Sequence, residues 1–342
     1  MGRVARRNGK ENEMENILEV ENLQIFLKKN RQKINAVDQV TFGIEKGRTL
    51  GIIGESGSGK SLTCMAVMGL LDRKMWQFEG NVSLQGKKLD ITKRKQMSQI
   101  CGNRMALIMQ NPMSAFNPVI TIGQHFYETL GKPGLPKTGK EQMKKIAVEL
   151  LEKMYIRDPE SVLRSYAFQL SGGMLQRIMI ALALAVQPDL LIADEPTTAL
   201  DLSVQNEIVK ILKELQRKYG MSILIVSHDL GVIKELADEV AVMYAGNIVE
   251  KGSAKEILLN PSHPYSKGLF CSRPAFSKER LTVMEGQPPV LEERGSGCGF
   301  YPRCPEKCEA CKAYFPDACT VDRKHQIKCL KRGGDVNGIA GS

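Results

Sequence analysis

Apolar and polar residues alternate along residues 17–27, ILEVENLQIFL, the period-two rhythm of a strand with one buried face. A second stretch, AVDQVTFGIEKG at 36–47, reads as another strand and ends at a glycine turn. The pattern then changes. Residues 48–71, RTLGIIGESGSGKSLTCMAVMGLL, run as an apolar strand, a glycine-rich loop and an apolar helix. EGNVSLQGKKL at 79–89 follows as a meander with Gly80 and Gly86 at its turns.

From about residue 111 to 187 the periodicity is helical. GKEQMKKIAVELLEKMYI places Met143, Ile146, Ala147, Leu150, Leu151 and Met154 on one face. LLIAD, SILIVS and EVAVMYAG are short apolar strands, and the helix SVQNEIVKILKELQRKYG lies between the first two. Its apolar face carries Val204, Ile208, Ile211, Leu212 and Leu215, and Gly220 is placed to end it. Strands alternating with helices predict an α/β fold whose sheet is interrupted by a helical insertion. The expected organisation is a polar tail at 1–15, a large domain at 16–260, a cysteine-rich extension at 261–332 and a flexible tail at 333–342. The chain contains no internal repeat, so a duplicated two-domain architecture is not expected.

Composition narrows the class. With 42% hydrophobic and 25% charged residues, the 342-residue chain has the make-up of a globular protein with a real core. Its longest apolar run, IMIALALAV at 178–186, falls well short of the roughly 20 residues of a membrane-spanning helix. The polar start MGRVARRNGKENEMENILEV lacks the apolar segment of a secretory signal, so a cytosolic protein with reduced thiols is expected. The net charge of +10 suits either nucleic acid or an anionic membrane face and anionic nucleotides. Local runs such as KLDITKRKQ at 88–96 read as solvated surface.

Chemistry enters with GESGSGKS at 54–61, which fits the phosphate-loop pattern and stands between a strand and a helix. Glycines there let backbone N–H groups face a phosphate chain at a helix N-terminus. Lys60 supplies a point charge, and the Ser61 hydroxyl can ligate Mg²⁺. In LLIADEP the apolar strand ends on Asp194, a second Mg²⁺-directed group, and Glu195 follows where it would polarise a water. LSGGMLQR at 170–177 opens another helix and so offers a second anion site. One nucleotide has no use for both sites in one chain, which predicts a sandwich between two subunits.

Together these motifs resemble the ATP-binding cassette ATPase family. The match comprises Walker A at 54–61, Gln110 of the Q-loop, the signature LSGGM, and Walker B at 190–194 with Glu195. The D-loop ALD at 199–201 and the switch residue His228 in VSHD complete it. Order and spacing agree over about residues 17–260. The resemblance implies a P-loop NTPase-like fold with a mixed core sheet, an antiparallel β subdomain and a helical subdomain. It implies that Gly54, Ser56, Gly57, Ser58, Gly59, Lys60, Ser61, Leu62, Gln110 and Asp194 bind ATP and Mg²⁺, with Ser61 and Gln110 on the metal. Glu195, His228 and Gln110 are the implied catalytic residues, and Phe26 is the candidate adenine-stacking aromatic. Ser171, Gly172, Gly173, Met174 and Asp201 would face a partner's ATP. Met174 departs from the family's usual glutamine, while Ser171 and Gly173 are kept. A lone histidine after an apolar strand is commonly structural, and only the company of the other motifs raises His228.

HPYSKGLF at 263–270 and the cysteine-rich tail resemble ATPases of the peptide/nickel importer group. IMQNPMSAFNP at 108–118 and GKSLTC look like the nickel-import members, with oligopeptide or dipeptide cargo close behind. The implied partners are a related second ATPase subunit in a heterodimer, two integral membrane permeases and an extracytoplasmic substrate-binding protein. The implied location is the cytoplasmic membrane face, with no nucleic acid bound. Cassette ATPases acting on nucleic acid or ribosomes form the alternative class. Cys298, Cys304, Cys311 and Cys329 resemble the four-cysteine tail of peptide-importer ATPases, for which a [4Fe–4S] cluster is implied. Zn²⁺ competes because Cys308 and Cys311 form a C-x₂-C pair. Cys308 and Cys319 stand as possible substitute ligands.

Overall fold

The computed structural model describes residues 15–29, 32–197, 200–271, 284–322 and 325–332. The N-terminal tail up to residue 14, Ala199 of the expected D-loop and the tail at 333–342 lie outside these residues.

The first alternating segments become β1 (Asn16–Lys29) and β2 (Gln32–Glu45), and β3 (Thr49–Ile53) leads into the glycine loop. β4 (Trp76–Leu84), β5 (Lys87–Leu89) and β6 (Met105–Ile108) follow, then β7 (Leu190–Asp194), β8 (Ser222–Val226), β9 (Glu239–Tyr244) and β10 (Asn247–Ser253). β11 (Cys319–Asp322) and β12 (His325–Ile327) come from the cysteine-rich extension.

Two sheets result. β2, β1, β4 and β5 form an antiparallel sheet. The second sheet runs β11-β12-β10-β9-β3-β8-β7-β6. Its five strands from β9 to β6 are parallel, and β10, β12 and β11 are added antiparallel at one edge. Every residue of β3, β7 and β8 is buried. Strands covered on both faces read as continuous apolar runs, which is why TLGII, LLIAD and SILIV show no alternation.

Helices cover the large sheet. α1 (Lys60–Val67) leaves the glycine loop and α2 (Arg94–Ile100) follows the meander. α3 (Ile122–Leu130), α4 (Lys140–Lys153) and α5 (Pro159–Arg164) build the helical insertion, joined by α6 (Gly172–Ala185). On α4 the residues Met143, Ala147 and Leu151 are buried, with Ile146 and Leu150 partly so, as the periodicity predicts. α7 (Leu202–Tyr219) buries Ile208, Leu212 and Leu215 and ends at Gly220 with φ 63°, a left-handed cap suited to glycine. α8 (Leu230–Leu236), α9 (Ala254–Leu259), α10 (Pro264–Cys271) and the single turn α11 (Ala310–Ala313) complete the set.

The core falls into two layers. Leu18, Val20, Val37, Phe42, Leu50 and Ile52 pack the antiparallel sheet against one face of the large sheet. The helices close the other face around Phe126, Leu151, Leu175, Ile178 and Leu191. The extension is not a loop laid on the surface: β12 pairs Ile327 with Glu250, and Phe300 is buried against Tyr244 and Tyr265.

Candidate nucleotide site

The glycine loop is shaped by its backbone. Gly54, Gly57 and Gly59 have φ of 155°, 75° and 107°. A Cβ at Gly54 would run into the carbonyl oxygen of Met243. Any side chain there is therefore excluded by both conformation and space. Lys60, at the first turn of α1, is buried and donates to the carbonyls of Gly54 and Glu55, both at 2.9 Å, and to Ser58 Oγ at 3.4 Å. Burial lowers its pKa, and the carboxylates of Glu195 and Asp194 pull it back up.

β7 delivers the acidic pair. Asp194 is buried and accepts from Ser61 Oγ at 2.9 Å. Burial raises its pKa and the Ser61 hydrogen bond works against that rise. Glu195 is bent out of the strand with φ 51°, a region that non-glycine residues seldom occupy. Its carboxylate accepts from Gln110 Nε2 at 2.8 Å and lies 3.3 Å from His228 Nδ1. Three sequence motifs from β6, β7 and β8 thus meet on one carboxylate. Backbone strain of this kind collects at working sites, and here it turns the Glu195 side chain toward Gln110 and His228.

Lys60, Ser61, Gln110 and Glu195 border a cavity of about 580 Å³, while Asp194 and His228 stand behind its wall residues Ser61 and Glu195. That volume is within the range of a small-molecule site. Ser56, Gly57, Gly59, Lys60, Ser61, Leu62, Gln110 and Glu195 line it. Ala36, Trp76, Pro288, Pro289, Val290, Leu291 and Arg294 line it as well. Sequence reasoning did not find this second set. A signal for one member was present, since Trp76 is the chain's single tryptophan. Phe26 is not among the lining residues; it is half-buried, with Lys33 Nζ 5.9 Å from its ring centre.

The signature stands elsewhere. Ser171 caps α6 by accepting from Met174 N, and Ser171 and Gly172 are exposed. Asp201 caps α7, and hydrogen bonds from Val204 N and the Ser203 hydroxyl lower its pKa. None of these residues lines the cavity. Within one chain the two anion-seeking helix ends stay apart.

A Mg²⁺ ion fits the Ser61 hydroxyl, the Asp194 carboxylate and the Gln110 amide, since this ion takes few protein ligands and fills its shell with waters and phosphate oxygens. When bound, it neutralises charge on the phosphate chain.

The cysteines divide into two sets. Cys298, Cys304, Cys311 and Cys329 line one enclosed space beside Phe300, and all are free thiols. Burial pushes Cys298 up to about 11 and raises Cys304, Cys311 and Cys329. Cys308 pairs with Cys311 across 3.3 Å, while Cys319 on β11 is turned to the Ile327 carbonyl. Among the described residues, no three His, Cys, Asp or Glu side chains stand together as a metal-holding group. The expected quartet lines one space, without closing into a group that would hold a single ion.

The ABC transporter family model matches residues 37–198, and the model for the oligopeptide/dipeptide transporter C-terminal region matches 249–311. The oligopeptide transport ATP-binding protein AppD of Bacillus subtilis is 40% identical over 320 residues, covering 93% of this chain and 97% of AppD. The chain belongs to the ATP-binding cassette family. OppD, the oligopeptide transport ATP-binding protein of the same organism, is 42% identical, with 91% of this chain and 88% of OppD covered. The dipeptide transport ATP-binding protein DppD of Haemophilus influenzae is 40% identical, with 92% and 94% covered. Among solved structures, the dimer of the ATP-binding cassette MJ0796 with ADP and Pi matches at TM-score 0.63 and 25% identity. It covers 69% of this chain and 98% of that one. This cassette protein is therefore an ATPase of the transporter type, and its phosphate loop, Glu195 and the Q-loop glutamine stand around one cavity, with Asp194 bonded to Ser61 beside it.

Proposed function

We propose that this cassette subunit hydrolyses ATP to drive the import of peptides. The observation that carries the ATP half is the convergence of Gln110 and His228 on the Glu195 carboxylate, next to Lys60 and Asp194. Glu195 takes the proton of the attacking water, Gln110 orients that water and the metal, and His228 supports charge on the γ-phosphate. Lys60 and the loop N–H groups hold the phosphates, so catalysis is positioning and charge stabilisation. The signature at Ser171–Met174, exposed at Ser171 and Gly172, completes a second subunit's site, and the companion is a related ATPase chain. The pair sits on two membrane permeases at the cytoplasmic face, fed by an extracytoplasmic binding protein.

Peptide cargo is favoured over nickel because the relatives AppD, OppD and DppD are named for oligopeptide or dipeptide transport. Within IMQNPMSAFNP, the stretch that resembles nickel-import members, Asn111 has a local role: its side chain caps the turn at Pro112–Ala115 by accepting from Met113 N. The test is ATPase activity of the assembled transporter with peptides and with nickel complexes. Stimulation by peptides alone is expected, and stimulation by nickel alone reverses the assignment.

The four gathered thiols support a thiolate-bound metal group in the extension, a [4Fe–4S] cluster with Zn²⁺ as the competing occupant. No step of the ATP reaction is assigned to it. Iron and sulfide in the purified chain are the expected result. Stoichiometric zinc in a colourless protein gives the site to zinc.

A further inference from the structure

Cys308 is the cysteine that the quartet leaves over. Cys298, Cys304, Cys311 and Cys329 line the enclosed space beside Phe300, and Cys308 does not. Its sulfur nevertheless lies 3.3 Å from that of Cys311. The other supernumerary thiol of the extension, Cys319, donates instead to the Ile327 carbonyl at 3.3 Å. One sulfur of the quartet thus has a second thiol in contact with it.

The backbone holds this pair in place. Cys311 N donates to Cys308 O at 3.0 Å and closes the turn that leads into α11. Cys311 O accepts from Cys298 N at 2.8 Å. A Cβ on Gly297 would run into the carbonyl oxygens of Cys311 and Lys312, so the turn lies flat against the 297–298 backbone. Residues three apart on a helical turn are neighbours on one face. Drawing the two sulfurs from 3.3 Å to the roughly 2.05 Å of a disulfide asks for about 1.2 Å, which side-chain rotation supplies. Cys308 is half-buried and within reach of a small reagent, whereas Cys311 is buried.

We propose that Cys308 and Cys311 form a redox-active dithiol whose co-substrate is a low-molecular-weight disulfide. The Cys308 thiolate attacks one sulfur of that disulfide, a mixed disulfide forms, and one small thiolate leaves. The Cys311 thiolate then attacks the Cys308 sulfur, closing the Cys308–Cys311 bond and expelling the second small thiolate. Two electrons pass from the protein sulfurs to the small disulfide, and the two protein thiol protons end on the two small thiols. The closed loop is very short, so the bond adds little to the stability of the fold and reopens when the thiol buffer is reducing. Because Cys311 belongs to both sets, closing the pair takes one sulfur from the quartet. That consequence rests on the metal reading of the extension given above; the dithiol itself does not.

The test uses the full chain, freed of metal by chelation and equilibrated with glutathione and glutathione disulfide as the probe. Thiols are then alkylated and the chain is weighed and mapped by mass spectrometry. Raising the disulfide share should cost the wild type two alkylatable thiols, Cys308 and Cys311, with a mass loss of two hydrogens. Cys311→Ser should instead retain one glutathione on Cys308. Cys308→Ser should leave Cys311 alkylatable at the same ratio, and its circular dichroism should match the wild type. A wild type whose Cys308 and Cys311 stay alkylatable, or whose Cys311 pairs with Cys298, Cys304 or Cys329, overturns the proposal. In the metal-loaded chain, iron or zinc should be released in step with the disulfide, and Cys308→Ser should hold it. Metal retained while the disulfide forms breaks the link between pair and quartet. A chain that takes up neither iron nor zinc sinks the metal reading alone, since the dithiol is decided on the metal-free chain.

Discussion

Arg303→Met tests how firmly the extension holds the phosphate loop. The guanidinium makes two parallel bonds to the Glu55 carboxylate, 2.7 Å from Nη1 to Oε2 and 3.1 Å from Nη2 to Oε1. It also donates to Glu285 O at 3.1 Å and to the Tyr244 hydroxyl at 3.3 Å. Its side chain is 6% exposed and that of Glu55 is 24% exposed. Removing one partner of a fully buried ion pair costs about 3–5 kcal/mol. Water reaches the Glu55 carboxylate in part, which lowers the expected loss to roughly 2–3 kcal/mol. Methionine keeps most of the contact with Tyr244 and Phe300, so the loss reports the polar bonds. Urea unfolding followed by circular dichroism, on Arg303→Met, Glu55→Gln and the double variant, gives the coupling between the two side chains. A coupling above about 1 kcal/mol is expected, with the double variant more stable than the sum of the singles. ATP affinity should fall as well, because Glu55 lies inside the loop and its N–H is held by the Tyr265 hydroxyl at 2.8 Å. A loss below about 1 kcal/mol with simple additivity would refute the ion pair as the anchor.

Glu195→Gln should keep ATP binding and lower turnover about 10²- to 10⁴-fold, the usual contribution of a positioned base; phosphate release at saturating ATP reads it, and unchanged turnover removes Glu195 from that role. Gly54→Ala should cost at least about 2 kcal/mol, because alanine meets both a disfavoured φ and the Met243 carbonyl. Thermal unfolding with and without ATP would show it. Phe26→Ala should leave ATP affinity within about twofold, since the ring lies outside the cavity. Ser253→Ala should cost about 1 kcal/mol through loss of the cap that accepts from Glu256 N at 3.2 Å.

The elements that could be read in advance are those whose signal is local. The phosphate loop needs glycines at positive φ, and the buried strands need unbroken apolar runs, so both are written in a few adjacent residues. The helical faces of α4 and α7 follow from the same local periodicity. Pairings across the chain leave no such trace. Nothing near DRKMWQFEG says that Trp76 will face Ala36 and the 288–291 segment, because the register between β1 and β4 decides it. The Glu55–Arg303 pair joins residues 248 positions apart, and no window of sequence spans that distance. Both residues also look like ordinary surface charges in sequence. Likewise the extension reads as loop-rich, since β11 and β12 have four and three residues and too few positions to show alternation.

The hairpin of β11 and β12 bears on how this protein can be handled. A chain shortened at residue 260 would open the edge of β10, leaving its N–H and C=O groups free to recruit a strand from another molecule. It would also strand Glu250, 1% exposed, whose carboxylate takes bonds from Ser262 N and His263 N and lies 2.7 Å from His325 Nε2. All three partners lie beyond the cut, and a buried carboxylate without them destabilises the sheet it sits in. Expression of the ATP-binding portion alone should therefore give aggregates, while soluble protein should require the chain through β12.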